Sequence, residues 1–210
     1  MTEDAIQIRE FREGDLDAVI AFSLRAWAPI FDSIQEVLGD EIFLRLHPDW
    51  RADQAEAVRS SCLSEERDVF VALADGRPVG FAAVALNAFH ERMGVIDIIG
   101  VDPDYQRRGI SSRLTEHATE HMLRCGMDIA VVETGGDPGH APARAAYEAA
   151  GFTLLPIARY FRMLESHSRT LAHASHPTVR CGTRGMIRPC TRHKFRPRWV
   201  RLCRLPQQLI

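Results

Sequence analysis

Apolar and polar residues alternate over 5–11, which predicts a half-buried first strand. Gly14-Asp15 then offers a helix start, with Asp15 as candidate N-cap. Leu16, Val19, Ile20, Ser23, Leu24 and Trp27 fall on one helical face, which Pro29 is expected to interrupt. Residues 30–50 are irregularly amphipathic and predict one or two short helices, and 52–63 predict another. Residues 68–74 read as a strand, Asp75-Gly76-Arg77-Pro78 as a hairpin turn and 79–86 as the return strand. After a connection at 87–93 comes Val95, Ile96, Ile98, Ile99 and Val101, a β-branched run broken by Asp97 and Gly100 that suits a buried central strand. A helix follows, with Ile110, Leu114, Ala118, Met122 and Cys125 at helical spacing and Gly126 at its end. Residues 129–133 predict the next strand, a turn-rich loop leads to a late helix opened by Pro142 and closed by Gly151, and 153–155 with 157–164 predict a closing hairpin-like pair. The fold class is α/β, a mixed sheet with helices on both faces.

The junction between the central strand and its helix carries the first chemical signal. Asp102-Pro103-Asp104 stops the strand with turn residues, and Gln106, Arg107, Arg108, Gly109, Ile110, Ser111 and Ser112 open the helix. The first amides of a helix lack internal partners and carry partial positive charge, so they attract anions. Gly109 allows close approach of the backbone and two arginines add charge. A pyrophosphate suits such a cradle. An ordinary strand-to-helix turn with solvated arginines has the same local pattern.

The segment from Val101 to Ser111, VDPDYQRRGIS, resembles the acyl-CoA loop of the GNAT superfamily of N-acetyltransferases. That motif is Gln or Arg, two residues, Gly, one residue, then Gly or Ala. Gln106 and Gly109 match it, and Ser111 stands at the last position. Downstream, Ala141 to Phe152, APARAAYEAAGF, is similar to the family's late helix, which carries a Tyr and ends in Gly-Phe. The resemblance covers residues 5–165 and implies a mostly antiparallel central sheet of the GNAT type. It also implies acetyl-CoA as co-substrate, held by the backbone of Ile99, Gly100 and Val101, by residues 106–112, and by His140 and Arg144. His140 stands where the family often has an Asn that contacts CoA; an imidazole there serves that contact or acts as a base.

Acetyl transfer to an amine requires a base for the acceptor, a donor for the developing oxyanion and a proton for the departing thiolate. Glu133, at the strand end beside the cofactor strand, is the leading base, and the resemblance implies the same; its alternative is a solvated carboxylate. Asp97 is the second candidate, because a carboxylate in an apolar strand needs a partner or a task. Tyr147 is the acid expected for the thiolate. By resemblance the region before the central sheet shapes the acceptor pocket, which makes Trp27, Phe31 and Phe43 candidate substrate contacts, with helix-packing aromatics as the alternative. His117 and His121 lie one turn apart, but HATEH is not the HExxH zinc pattern, and no metal is expected.

Composition divides the chain. Residues 166–210 hold ten Lys+Arg and no Asp or Glu, leaving 16 basic against 28 acidic residues in 1–165. The expected organisation is an N-acetyltransferase domain over 1–165 and a basic, disordered tail over 166–210. In that tail, arginines with Phe195 and Trp199 suit contact with nucleic acid, which is not expected as a partner of the chain as a whole, and Cys181, Cys190, Cys203 and His193 match no paired zinc spacing. No run reaches the ~18 apolar residues of a membrane span, and the first residues lack a signal-peptide pattern. Five cysteines without paired spacing fit a reducing compartment, so a cytoplasmic monomer or homodimer is expected. The expected activity is acetylation of a primary amine of a small molecule. A protein or peptide acceptor and a catalytically silent acyl-CoA-binding module are the alternatives.

Overall fold

The computed structural model describes residues 6–164. β1 (Gln7–Glu10) leads through a 3-10 turn at Glu13–Asp15 into α1 (Leu16–Leu38), α2 (Asp40–Leu46) and α3 (Trp50–Cys62). β2 (Asp68–Ala74), β3 (Arg77–Ala85) and β4 (Met93–Val101) follow, then a 3-10 turn at Pro103–Tyr105 and α4 (Ile110–Arg124). β5 (Ile129–Val132), a third 3-10 turn at Pro138–His140 and α5 (Ala141–Ala149) complete the order. The five strands lie side by side in chain order. Pairing is antiparallel from β1 to β4, and β5 runs parallel to β4. A parallel pair needs a crossover, which α4 provides. The mixed, mostly antiparallel sheet is therefore the one expected.

β2 is apolar at six consecutive positions because both of its faces are buried. Val69, Val71 and Leu73 pack with Val19 and Phe22 of α1 and Val58 of α3. Phe70, Ala72 and Ala74 turn the other way, toward Ile110, Leu114, Ala118 and Met122 of α4. Phe81 of β3 is fully buried under α1, edge-on to Phe22. Truncating such a core Phe to Ala costs about 3–5 kcal/mol. The β2–β3 hairpin closes through Asp75 and Gly76, both with positive φ, in the two-residue turn that matches strand twist.

Three expectations are corrected. α1 runs unbroken through Pro29 for 23 residues. The ~3 kcal/mol penalty of an interior proline is outweighed by burial on either side of it, Phe22 against the sheet and Phe31 and Ile34 against α2 and α3. Asp15 does not cap α1 through its side chain; it accepts from the Arg12 amide at 2.8 Å and takes the Arg9 guanidinium at 2.7 and 2.9 Å. Finally, residues 152–164 form no strand. Leu154, Leu155, Ile157, Tyr160 and Leu164 are exposed, and Pro156 withholds a ladder donor in mid-segment. The tail candidates Cys181, Cys190, Cys203, His193, Phe195 and Trp199 lie outside the described residues.

Candidate active site

β4 and β5 pair only from Met93↔Ile129 to Ile96↔Val132. Beyond Ile96, β4 continues to Val101 bonded to β3 alone, with Ala82↔Ile99, Phe81↔Gly100 and Gly80↔Val101. Where the two strands part, Ala83 faces Ile98 and Val84 faces Ile96, so Asp97 is the extra residue of a β-bulge. A bulge bends its strand, and here the bend coincides with the split. The free edge of β4 at Ile99, Gly100 and Val101 has the geometry to take an extended ligand arm as an added strand.

Asp97 itself is ion-paired. Its carboxylate, 6% exposed, takes the Arg67 Nε at 2.6 Å. The ion pair matches the structural alternative read from the sequence, with Asp97 anchoring the loop before β2.

At the far end of β4 lies the loop expected to cradle an anion. Arg107 and Gly109 both have positive φ, 62° and 73°, flanking Arg108 in a backbone nest. Gly109 is the N-cap of α4, with no side-chain cap and no acid in the first turn. The first backbone bond into this helix is Arg113 N to Gly109 O at 3.1 Å. The amides of Ile110, Ser111 and Ser112 therefore have no acceptor among the described residues, and an anion satisfies them. Gln106 holds the loop to the strand, its Nε2 donating to Val101 O at 3.2 Å. Arg108 lies over the Tyr105 ring at 4.9 Å and donates to Asp104 O. Arg25 of α1 reaches across to Asp102 and Asp104 at 2.7 and 2.8 Å, fixing the turn from the other side. Sequence gave no sign of that clamp, since the partners lie 77 and 79 positions apart.

Glu133 stands immediately after β5, at the mouth of the split. Its Oε2 is buried without a hydrogen-bond partner among the described residues. Burial pushes the carboxyl above its ordinary 4.5, with the charge of Arg159 pulling weakly the other way. An unsatisfied buried carboxylate oxygen of this kind marks a place for a proton or a cation. Tyr147 of α5 has a buried ring, edge-on to Phe152 at 6.0 Å, and burial pushes its phenol up to about 12. It stays protonated at neutral pH, as a donor must.

The remaining candidates separate. Trp27 presses on β4 at Gly100, where a Cβ would lie 2.6 Å from the indole, so it packs on the α1 face of that strand. Phe31 and Phe43 are each 3% exposed. Phe31 stacks on Trp50 at 4.4 Å and meets Phe43 edge-on. They are core of the α1–α2–α3 cluster and offer no surface to an acceptor, which corrects that expectation. Arg144 pins the loop after β5, its Nη1 donating to Gly135 O at 2.6 Å and Asp137 O at 2.9 Å. His140 pairs through Nδ1 with Asp137, and Asp137 also accepts from Ser33 Oγ at 2.8 Å. Asp137 and Ser33 went unnoticed in the sequence. The i,i+3 spacing of Asp137 and His140 around Pro-Gly was a usable signal; Ser33, 104 positions away, had none. Among the described residues no group of three or more His, Cys, Asp or Glu is placed to hold a metal ion. No described helix is long and apolar enough to cross a membrane.

Sheet order, the split between β4 and β5 and the uncapped start of α4 agree with the GNAT-type architecture that the sequence resemblance implied. The profile of the Acetyltransferase (GNAT) family matches residues 31–152, and the chain belongs to that family. It is similar to the mycothiol acetyltransferase of Saccharomonospora viridis, 29% identical over 164 residues, covering 71% of this chain and 46% of that protein. It is similar as well to the streptothricin acetyltransferase of Streptomyces lavendulae, 29% identical over 120 residues, covering 57% of this chain and 62% of that protein. The chain thus spans less than two thirds of either relative. Among solved structures it shares its fold with the aminoglycoside N-acetyltransferase AAC(6′)-Iy in complex with CoA, at TM-score 0.52 and 17% identity over 77% of this chain and 96% of that one. The ribosomal-protein-S18-alanine N-acetyltransferase of Escherichia coli matches at TM-score 0.54 and 22% identity, over 72% and 80%. At these identities the likeness is one of fold.

Proposed function

We propose that this chain transfers an acetyl group from acetyl-CoA to a primary amine of a small molecule. The observation that carries the proposal is the buried, unpartnered Oε2 of Glu133 beside the unpaired edge of β4. The nest at Arg107–Gly109 and the free amides of Ile110, Ser111 and Ser112 would hold the pyrophosphate, with Gln106 and Arg108 keeping their loop in shape. Acetyl-CoA supplies the activated carbonyl carbon. An acceptor amine with a lysine-like pKa of ~10.4 arrives protonated. Glu133 takes its proton, the β4 backbone amides donate to the oxygen that gains charge, and Tyr147 gives a proton to the leaving sulfur. The names of the mycothiol and streptothricin acetyltransferases support a small-molecule acceptor.

The test is release of CoA thiol with two panels at equal concentration. One holds small amines (sisomicin, glucosamine and cysteine methyl ester), the other holds peptides with a free N-terminal alanine. Turnover confined to the small amines is expected. Turnover confined to the peptides would move the acceptor to protein N-termini. Acetyl-CoA binding without transfer to either panel would make the chain a silent acyl-CoA-binding module.

A further inference from the structure

The loop between β5 and α5 folds onto α1, on the sheet face opposite α4 and the anion cradle. Ser33 of α1 donates through Oγ to Asp137 Oδ2 at 2.8 Å and accepts from the Gly139 amide at 2.8 Å. The other carboxylate oxygen of Asp137 meets His140 Nδ1. The two side chains are 11% and 15% exposed. Their nest depends on close approach: a Cβ on Gly135 would lie 2.4 Å from both Asp137 Oδ1 and His140 Nδ1, and one on Gly139 would lie 2.7 Å from Ser33 Cβ. Burial raises the Asp137 carboxyl, and the hydrogen bonds from His140 and Ser33 more than offset it, so the group is held below its ordinary value. A carboxylate on Nδ1 fixes the Nδ1–H tautomer and leaves the Nε2 lone pair as an acceptor. His140 Nε2 makes no hydrogen bond to a described residue. Trp27, on the same helix as Ser33, packs over Gly100, so α1 runs from the β4 edge to this loop. His140 is thus carried by a loop packed on α1, the helix that also lies over the β4 edge.

This placement meets a need of the reaction. A protonated amine must lose two protons to become an amide, while Glu133 receives one. We infer that His140, oriented by Asp137, receives the second. The inference rests on the function proposed above. Glu133 takes the first proton and the neutral nitrogen forms the C–N bond, becoming positive. His140 Nε2 takes a second proton from that nitrogen as the C–S bond breaks and its electron pair leaves on sulfur. Tyr147 protonates the sulfur, and the imidazolium, stabilised by Asp137, returns its proton to the tyrosinate. One proton ends on the CoA thiol and one leaves Glu133 for solvent, which balances the transfer. His140 is the catalytic residue in this step and Asp137 is a positioning residue.

Wild type, His140→Gln, Asp137→Asn and Glu133→Gln are compared with the fastest amine of the panel. Readouts are kcat, KM, acetyl-CoA affinity by calorimetry, and the tautomer of His140 by 15N NMR of the ligand-free protein. Loss of a positioned proton carrier lowers kcat by about 100-fold or more, so both His140→Gln and Asp137→Asn should show that fall. Their acetyl-CoA affinity should stay close to wild type. The wild-type ring should be the Nδ1–H tautomer, lost in Asp137→Asn. A His140→Gln variant that keeps kcat while Glu133→Gln loses it would overturn this inference alone. Weakened acetyl-CoA affinity with kcat retained would return His140 to the cofactor side, and an Nε2–H tautomer in the wild type would also refute the assignment. A wild type that binds acetyl-CoA and acetylates no amine would overturn the proposed function and this inference together.

Discussion

Gly109 is the position at which a single atom tests the anion cradle. Its backbone lies at φ 73° and ψ 6°, the left-handed region, and a Cβ added there meets nothing within 4 Å. Gly109→Ala therefore carries a backbone cost and no clash, about 1–2 kcal/mol. For a domain of this size that is a fall in melting temperature of roughly 2–8 °C. Gly109→Glu carries the same backbone cost, and in the free protein its carboxylate sits favourably at a helix N-terminus. With a phosphate bound at roughly 5 Å and an effective dielectric of about 20, it instead meets a repulsion of about 3 kcal/mol, or about 100-fold in affinity. The assay is calorimetric titration of acetyl-CoA into wild type and both variants, with thermal melts alongside. Gly109→Glu should melt no lower than Gly109→Ala yet bind at least tenfold more weakly than it. Equal affinity of the two folded variants would show that the phosphates do not sit over this helix start.

Tyr147→Phe removes only the hydroxyl of a buried ring, so kcat should fall by about 100-fold or more with acetyl-CoA affinity unchanged; an unchanged kcat would remove Tyr147 as the acid. Arg67→Met leaves the 6%-exposed Asp97 carboxylate uncompensated, a loss of about 3 kcal/mol visible in chemical denaturation, whereas Asp97→Asn should leave kcat within about threefold of wild type. A collapse of kcat in Asp97→Asn at intact fold would restore Asp97 as a base. Glu133 has a folded pKa raised above 4.5 by burial, so both states are protonated below the ordinary value and no penalty exists there. As pH rises through the folded value the ionised carboxylate destabilises the native state. Glu133→Gln should therefore melt above wild type at neutral pH and lose that advantage in acid; a lower melting temperature at neutral pH would contradict the burial of Oε2.

The parts legible in sequence were those encoded locally. The β2–β3 hairpin is announced by Asp75-Gly76 between two apolar runs, and α4 by its spacing from Ile110 to Met122 and by Gly109 and Gly126 at its ends. The candidate cradle was legible for the same reason, since the unpartnered amides of Ile110, Ser111 and Ser112 lie within or next to the motif segment. What depends on distant partners was not. Asp97 looked like a base because Arg67, 30 positions earlier, cannot be seen as its partner from the strand alone. Phe31 and Phe43 looked available until α2 and α3 closed over them. Pro29 reads as a helix stop by local rule, and only the burial of Phe22 and Phe31 on either side explains why α1 continues. The apolar stretch after Gly151 has strand composition, but strand formation needs a ladder partner, and residues 152–164 have none among the described residues.

The most direct measurement is acetyl transfer from acetyl-CoA to the fastest amine of the panel, followed as kcat/KM across pH for wild type and Glu133→Gln. Wild type should lose activity in acid along a limb set by a carboxyl titrating above its ordinary 4.5. Glu133→Gln should bind acetyl-CoA normally, turn over about 100-fold or more slowly, and lack that limb. A Glu133→Gln variant with wild-type turnover and the same acid limb would contradict the assignment of Glu133 as the base at the split between β4 and β5.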